Sequence, residues 1–152
     1  MIKFDSIDDI LKFAIAKEDA SHQFYMDIAH QMQSETSNTI FEELAKEELN
    51  HKAQLELEIM KRGKVVRPSE NESYRIKGDF TLETDFSKDI SYADALMIAI
   101  RKEQASFKLY VELMRISENE EAFEAFMALA EEEVRHKLMF EAEYNNLMQK
   151  KN

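Results

Sequence analysis

The second half of this chain repeats the first half at one constant offset. Ser6 and Ser91 lie 85 residues apart. The same offset relates further segments and residues, namely 14–18 and 99–103, 20–21 and 105–106, Tyr25 and Tyr110, Phe41 and Phe126, and Glu48-x-x-His51 and Glu133-x-x-His136. Because a single offset without a gap relates the two halves, the chain is predicted to contain two copies of one structural unit around a pseudo-twofold axis.

Glycine and proline are scarce, which favours long helices over strands. The 152 residues include Gly 2 and Pro 1, whereas the tight turns between strands depend on these residues. Gly63, Pro68 and Gly78 all fall in one central segment. Apolar residues recur at helical spacing in four other segments. The sequence therefore predicts an all-α protein with helices over about 7–34, 37–62, 92–117 and 119–149.

Short polar breaks group the four helices into two hairpins. Segments 34–37 and 117–119 are brief and polar, so the helices on either side of each are predicted to be antiparallel neighbours. The segment 63–90 is much longer, and it contains the β-like patch 74–76. Such a length suits a connection that crosses from one end of a bundle to the other. We therefore predict one domain over 1–152, a four-helix bundle of two repeated hairpins joined by a long crossover.

The composition excludes several classes of function. Cys 0 excludes disulfides, thiolate catalysis and cysteine-ligated metals. The formal net charge of −11 would repel a phosphate backbone, so nucleic acid is not an expected partner. The start of the chain lacks the apolar core of a signal peptide, and no segment is apolar enough to span a membrane. We expect a cytoplasmic protein without a membrane partner.

Four glutamates and two histidines are predicted to face the interior of the bundle at one level. Glu18 and Glu103 lie within the apolar stripes of the first and third helices. The other two helices each carry Glu-x-x-His in their stripes, so both side chains point inward one turn apart. Counted from the hairpin turns at about 1.5 Å per residue, all six reach the same level. The six are Glu18, Glu48, His51, Glu103, Glu133 and His136.

The charge of this cluster indicates bound metal ions. An unpaired buried carboxylate costs several kcal/mol, and four of them would also repel one another. Lys17, Lys52, Lys102 and Lys137 lie off the stripes, so little compensation by lysine is expected. Two divalent cations would balance four carboxylates, and the two imidazoles would complete a donor set suited to iron or manganese.

The pattern of one Glu from each of two helices and Glu-x-x-His from each of the other two is that of dinuclear carboxylate bundles. The sequence resembles the rubrerythrin-like branch of the ferritin-like superfamily, except in 63–90. The resemblance implies a ferritin-like bundle with two iron ions, or manganese. The implied ligands are Glu18 and Glu103 as terminal, Glu48 and Glu133 as bridging, and His51 and His136 as one nitrogen ligand for each metal.

The resemblance also implies an activity and partners. It implies an oxidoreductase active in oxidative stress, which reduces peroxide or dioxygen with electrons from an external donor such as a rubredoxin-like protein. Rubrerythrins proper carry a cysteine-ligated rubredoxin domain, which a chain with Cys 0 cannot form. Ser106 replaces an additional glutamate of those proteins, so their efficient peroxide reductase mechanism is not carried over. Leu49 replaces the haem-ligating methionine of bacterioferritins, so no haem is expected.

Two other functions remain open at the level of the sequence. One is ferritin-type iron oxidation, storage or transfer, in which iron is the substrate. The other is a non-catalytic helical binding module in which the metals only stabilise the fold. A homo-oligomer is expected, most simply a dimer, in which the long connection would allow hairpins to be exchanged between two chains.

Three further residues are predicted to lie close to the metal ligands. Tyr25 and Tyr110 follow their glutamates by seven residues, on the same helical face. They would hydrogen-bond a ligand, relay an electron or fill the core. His22 lies one turn after Glu18, where it would act as a base, ligate a metal or pack in the bundle. Phe107 at the equivalent position of the repeat favours packing.

Overall fold

Four long helices dominate the computed structural model, which describes residues 4–63 and 89–151. They are α1 (Ile7–Gln31), α2 (Glu35–Lys61), α3 (Tyr92–Ile116) and α4 (Glu120–Lys151). The predicted all-α fold is confirmed. The predicted patch 74–76 and nearly all of the connection 63–90 lie outside the described residues. None of the described helices is long and apolar enough to cross a membrane.

A side-chain cap precedes each helix and fixes where it begins. The capping oxygens belong to Ser6, Ser34, Ser91 and Asn119. They accept from the backbone N–H groups of Asp9, Ser37, Asp94 and Ala122 at 2.9–3.1 Å. Each cap satisfies a backbone donor that the first helical turn leaves unpaired. Ser34, predicted as the end of the first helix, instead caps α2, and α1 therefore ends earlier, at Gln31.

The two hairpins pack against each other in antiparallel fashion. Within the hairpins, α1 packs on α2 and α3 packs on α4. Between them, Tyr25 of α1 contacts Glu103 of α3, and Glu18 of α1 contacts Tyr110 of α3. Because the later residue of α1 meets the earlier residue of α3, these two helices run antiparallel. The result is the predicted ferritin-like four-helix bundle of two hairpins.

The ends of α2 and α3 that the connection must join lie at opposite ends of the bundle. Ile59, near the end of α2, packs in one apolar cluster together with Leu11 of α1. Tyr92, the first residue of α3, packs against the other apolar cluster, which contains Ile28 of α1. The end of α2 and the start of α3 therefore lie at opposite ends of the bundle, and the course of the predicted crossover between them lies outside the described residues.

The two apolar clusters enclose a polar layer. In α1, Leu11 and Ile15 belong to the first cluster and Tyr25 and Ile28 to the second, and Glu18 lies between them in sequence. In the second cluster Phe41 stacks on Phe140, with ring centroids 5.7 Å apart. Aromatic side chains of this size remove a large apolar area from water. The polar layer is therefore closed to water from above and below.

Candidate metal centre

The six polar residues predicted from the sequence meet in the polar layer, and all of them are buried. They form two overlapping groups. The Glu18 group consists of Glu18, Glu48, His51 and Glu133, and the Glu103 group consists of Glu48, Glu103, Glu133 and His136. In each group the potential ligand atoms lie within 4.8 Å of one another. Glu48 and Glu133 belong to both groups, which is the position that a bridging carboxylate requires.

Both histidines direct Nδ1 towards the carboxylates. Nδ1 of His51 lies 3.7 Å from Oε2 of Glu18 and 3.5 Å from Oε1 of Glu133. Nδ1 of His136 lies 3.7 Å from Oε2 of Glu103. The two imidazole rings are stacked, with centroids 5.8 Å apart and an interplanar angle of 16°. The spacing of three residues in each Glu-x-x-His places the histidine one turn along from its glutamate, on the same face.

Unpaired ligand atoms show that these residues fit metal ions. Each of the six residues has at least one buried side-chain oxygen or nitrogen without a hydrogen-bond partner in the described part of the chain. These atoms include Oε2 of Glu18, Oε1 of Glu48, Nδ1 of His51, Oε2 of Glu103, both oxygens of Glu133 and Nδ1 of His136. A buried polar atom without a partner costs about 1–3 kcal/mol. A mixed oxygen and nitrogen set at one point is satisfied by a divalent cation such as iron or manganese.

Two buried tyrosines form hydrogen bonds with Glu18 and Glu103, the two glutamates that each belong to only one group. The hydroxyl of Tyr25 donates to Oε1 of Glu103 at 2.7 Å, and that of Tyr110 donates to Oε1 of Glu18 in a short hydrogen bond. Burial and the nearby carboxylates raise the pKa of both hydroxyls, which therefore keep their protons and remain donors. In both glutamates the tyrosine holds Oε1, and Oε2 faces a histidine.

Comparison with known families agrees with this arrangement. A family model described as Rubrerythrin matches residues 9–144. The chain belongs to the rubrerythrin family. Membership indicates a di-iron carboxylate protein, and the match includes every residue of both ligand groups. Neither the curated proteins nor the solved structures gave a match.

A buried lysine lies among the candidate ligands of this rubrerythrin-family protein, contrary to the prediction from the sequence. Lys17 is 0% exposed. Its Nζ lies 3.3 Å from Oε1 of Glu18 and 3.7 Å from Oε2 of Glu133, and 4.8 Å above the ring centroid of Tyr110. The prediction was wrong because α1 also buries Phe13 and Phe24, which lie outside the stripe of Glu18. Its buried face is therefore wider than one stripe, and a residue one step around the helix remains inside.

The other three lysines fall into two classes. Lys102, which is the repeat equivalent of Lys17, is also buried, and its Nζ lies 5.3 Å from the ring centroid of Phe24. The prediction that it lies away from the interior was therefore wrong as well. Lys52 and Lys137 are partly exposed and pair with carboxylates outside the ligand groups, those of Asp19 and Glu141. The prediction that Lys52 and Lys137 lie outside the polar layer is therefore correct.

Burial and mutual repulsion control the ionisation of the carboxylates. Burial raises the pKa of Glu48 and Glu133 well above the ordinary value, and neighbouring glutamates raise it further. Burial also raises the pKa of Glu103. Burial acts in the same direction on Glu18, but Lys17 opposes it and the net pKa is lowered. Protons are therefore favoured at the shared glutamates, where a metal ion would have to displace them.

One histidine has a carboxylate on its far side. Oε2 of Glu47, on α2, contacts Nε2 of His136, although the Glu47 side chain is 51% exposed. Periodicity predicts Glu47 and Glu132 at the surface or beside the ligands. Glu132, the repeat equivalent, instead pairs with Arg135 at 2.8 Å. Nε2 of His136 has no hydrogen bond within the described residues, so Glu47 acts on it as a nearby negative charge.

His22 lies in the contact between α1 and α2 and belongs to neither ligand group. Its Nδ1 is 2.8 Å from the backbone carbonyl oxygen of Ala45, and the side chain is half-buried. This position corresponds to the packing role that Phe107 of the repeat suggested. Lys17 is the functional residue that the sequence analysis did not identify. The repeat contained a signal for it, since both halves carry a lysine directly before the buried glutamate, at Lys17 and Lys102.

Proposed function

We propose that this protein is a di-iron oxidoreductase that reduces hydrogen peroxide or dioxygen with electrons from an external donor. The observation that carries the proposal is the sharing of Glu48 and Glu133 by two buried ligand groups. Shared carboxylates hold two ions at short distance, as two-electron chemistry on one small substrate requires. Membership of the rubrerythrin family supports iron as the metal.

Each ligand group would hold one ion. The Glu18 group would supply three carboxylates and His51, and the Glu103 group would supply three carboxylates and His136. When bound, two ferrous ions supply the two electrons that convert one hydrogen peroxide and two protons into two waters, and the external donor returns those electrons. The donor set of oxygen and nitrogen also accepts manganese, so metal analysis belongs in the test.

The protein's own residues would position the ligands and keep water away. Tyr25 and Tyr110 hold Oε1 of their glutamates, so that Oε2 stays directed into the layer. Phe41 and Phe140 close one side of the layer and Phe126 the other. Low water access strengthens every electrostatic interaction inside the site.

The partners belong to the same proposal. Because the chain has Cys 0, it cannot form a cysteine-ligated iron centre of its own, and we propose a separate rubredoxin-like carrier as the donor. A homodimer in the cytoplasm is the proposed setting. Reconstitution with reduced rubredoxin and peroxide tests the donor, since turnover should oxidise two equivalents of one-electron carrier for each peroxide.

The experiment is metal analysis of anaerobically purified protein, followed by an optical spectrum before and after one equivalent of peroxide. We expect two irons per chain and a ferric band that forms faster than oxidation of free ferrous iron. Glu133→Gln should lose this response, whereas Glu132→Gln, one residue away and paired with Arg135, should keep it.

Three results would contradict the proposal. Two tightly bound metals without a new ferric band after peroxide would indicate metals that only stabilise the bundle. A large hollow assembly that takes up many irons per chain would indicate ferritin-type storage. Absence of bound metal in an intact helical bundle would contradict metal binding itself.

A further inference from the structure

The two ligand groups match in sequence but differ in the charges around them. Lys17 and Lys102 each directly precede the glutamate found in only one group. Nζ of Lys17 contacts Oε1 of Glu18 and Oε2 of Glu133. Nζ of Lys102 lies over the ring of Phe24 and forms no ion pair within residues 4–63 and 89–151, so the glutamates of the layer act on it only from a longer distance. Among the glutamates found in only one group, Glu18 therefore has an ammonium beside it, whereas Glu103 has none within ion-pairing distance in the described residues.

The ammonium of Lys17 cannot leave for solvent. Its side chain is 0% exposed, and the ring of Tyr110 lies beneath it. Any ion held by the Glu18 group would therefore share its carboxylates with a fixed positive charge. The ammonium repels a cation at that point, and its hydrogen bond to Oε1 of Glu18 takes up a lone pair of that carboxylate.

A second, independent difference acts in the same direction. The carboxylate of Glu47 contacts Nε2 of His136, which adds a negative charge beside the Glu103 group. The equivalent residue, Glu132, pairs with Arg135 and is thereby neutralised at the surface. The unshared glutamate of one group thus has a positive neighbour, and the histidine of the other group has a negative neighbour.

We propose that Lys17 makes the two metal positions unequal. The Glu103 group binds its ion first and more tightly, and the Glu18 group fills second and releases its ion first. Lys17 is a positioning residue in this scheme, because it acts through Glu18 and Glu133. The inference rests on the proposed metal binding and adds an order of filling, which the symmetric sequence pattern does not contain.

The test is a titration of metal-free protein with Mn²⁺, followed by calorimetry and by electron paramagnetic resonance. The wild-type protein should bind in two steps whose Kd values differ by about tenfold or more, and tenfold corresponds to about 1.4 kcal/mol. A mononuclear signal should appear with the first equivalent, and a coupled signal only with the second. His136→Ala should remove the tight step and His51→Ala the weak step.

Lys17→Met removes the charge and keeps a long apolar side chain. The weak step should tighten by about tenfold in this variant, which brings the two Kd values together. Lys17→Arg keeps the charge and should keep the two steps apart. Lys102→Met is the matched control, because it deletes the equivalent lysine of the other half and should leave the separation unchanged.

If Lys17→Met does not fold without metal, a measurement on wild-type protein alone still tests the inference. Crystals loaded with one Mn²⁺ per chain should show anomalous scattering at the Glu103 group. Equal occupancy of both groups, or a Lys17→Met titration identical to wild type, overturns the inference and leaves the proposed function intact. If the protein binds neither Mn²⁺ nor iron, the proposed function is wrong, and the inference that rests on it is wrong as well.

Discussion

The hydroxyl of Tyr110 on α3 donates a hydrogen bond to Oε1 of Glu18 on α1. The equivalent bond runs the other way, from Tyr25 on α1 to Glu103 on α3. Each hairpin therefore holds a glutamate of the other in place. The ligand groups depend on correct docking of the hairpins, since neither hairpin alone supplies both a glutamate and the tyrosine that orients it.

Removal of one such hydroxyl should cost stability and disturb one ligand group. Tyr110→Phe leaves Oε1 of Glu18 with Lys17 as its neighbour. We expect a loss of about 1.5–3 kcal/mol in the free energy of unfolding, the range for a hydrogen bond to a charged group. Chemical denaturation of metal-free protein measures it.

Tyr92→Phe is the control for that variant. Tyr92 donates to Glu143 at 3.0 Å, in a half-buried contact between α3 and α4 outside both ligand groups. This variant should change the affinity for metal by less than a factor of about two, because the lost bond touches no ligand. If both variants weaken metal binding equally, the positioning role of Tyr110 is wrong.

Sharing of a carboxylate predicts how many metals a variant loses. Glu133 belongs to both ligand groups and Glu103 to one. Glu133→Gln should reduce binding of both ions, whereas Glu103→Gln should leave one ion per chain in the Glu18 group. Elemental analysis after dialysis distinguishes the two results. Retention of two ions by Glu133→Gln would show that this carboxylate does not bridge.

The fold and the meeting of the six buried polar side chains could be predicted because both depend on local periodicity. Helical spacing places Glu48 and His51 on one face, and the repeat doubles the argument for Glu133 and His136. The level at which they meet follows from helical rise and the hairpin turns. In the bundle, α1 and α3 begin directly after Ser6 and Ser91, the caps that the sequence predicts.

What could not be predicted depends on packing between helices. Periodicity describes one helix at a time, so it excluded Lys17 from the interior, although packing buries α1 over more than one stripe. The same limit applies to Tyr25 and Tyr110, whose partners belong to the opposite hairpin. Contact of Glu47 with His136 likewise joins residues of different hairpins.

The aromatic stack beside the polar layer should contribute strongly to stability. Phe140 is fully buried and stacks on Phe41 and on Tyr25, at centroid distances of 5.7 and 6.2 Å. Phe140→Ala should lower the free energy of unfolding by about 3–5 kcal/mol. Leu138→Ala, at a side chain that is 59% exposed, should change it by less than about 0.5 kcal/mol. Equal losses in denaturation curves would contradict the assigned core.

The stability of metal-free protein should fall as the pH rises. Because folding raises the pKa of Glu48 and Glu133, the folded state binds more protons than the unfolded state above the ordinary value of 4.5. Their contribution is therefore complete below that pH and is lost as the pH rises through the folded-state values. Glu18 acts oppositely, since its pKa is lowered, and its contribution is lost only in acid.

Thermal unfolding at several pH values, with and without metal, measures this dependence. Glu48, Glu103 and Glu133 all have a raised pKa, and the contribution of Glu18 does not change above pH 5, so Tm of metal-free protein should decrease from pH 5 to about pH 8. Metal-loaded protein should show the reverse, because cations displace the protons from Glu48 and Glu133 more readily as the pH rises. A Tm of metal-free protein that rises across this range would mean that the shared glutamates are ionised in the fold, with Lys17 as sufficient compensation.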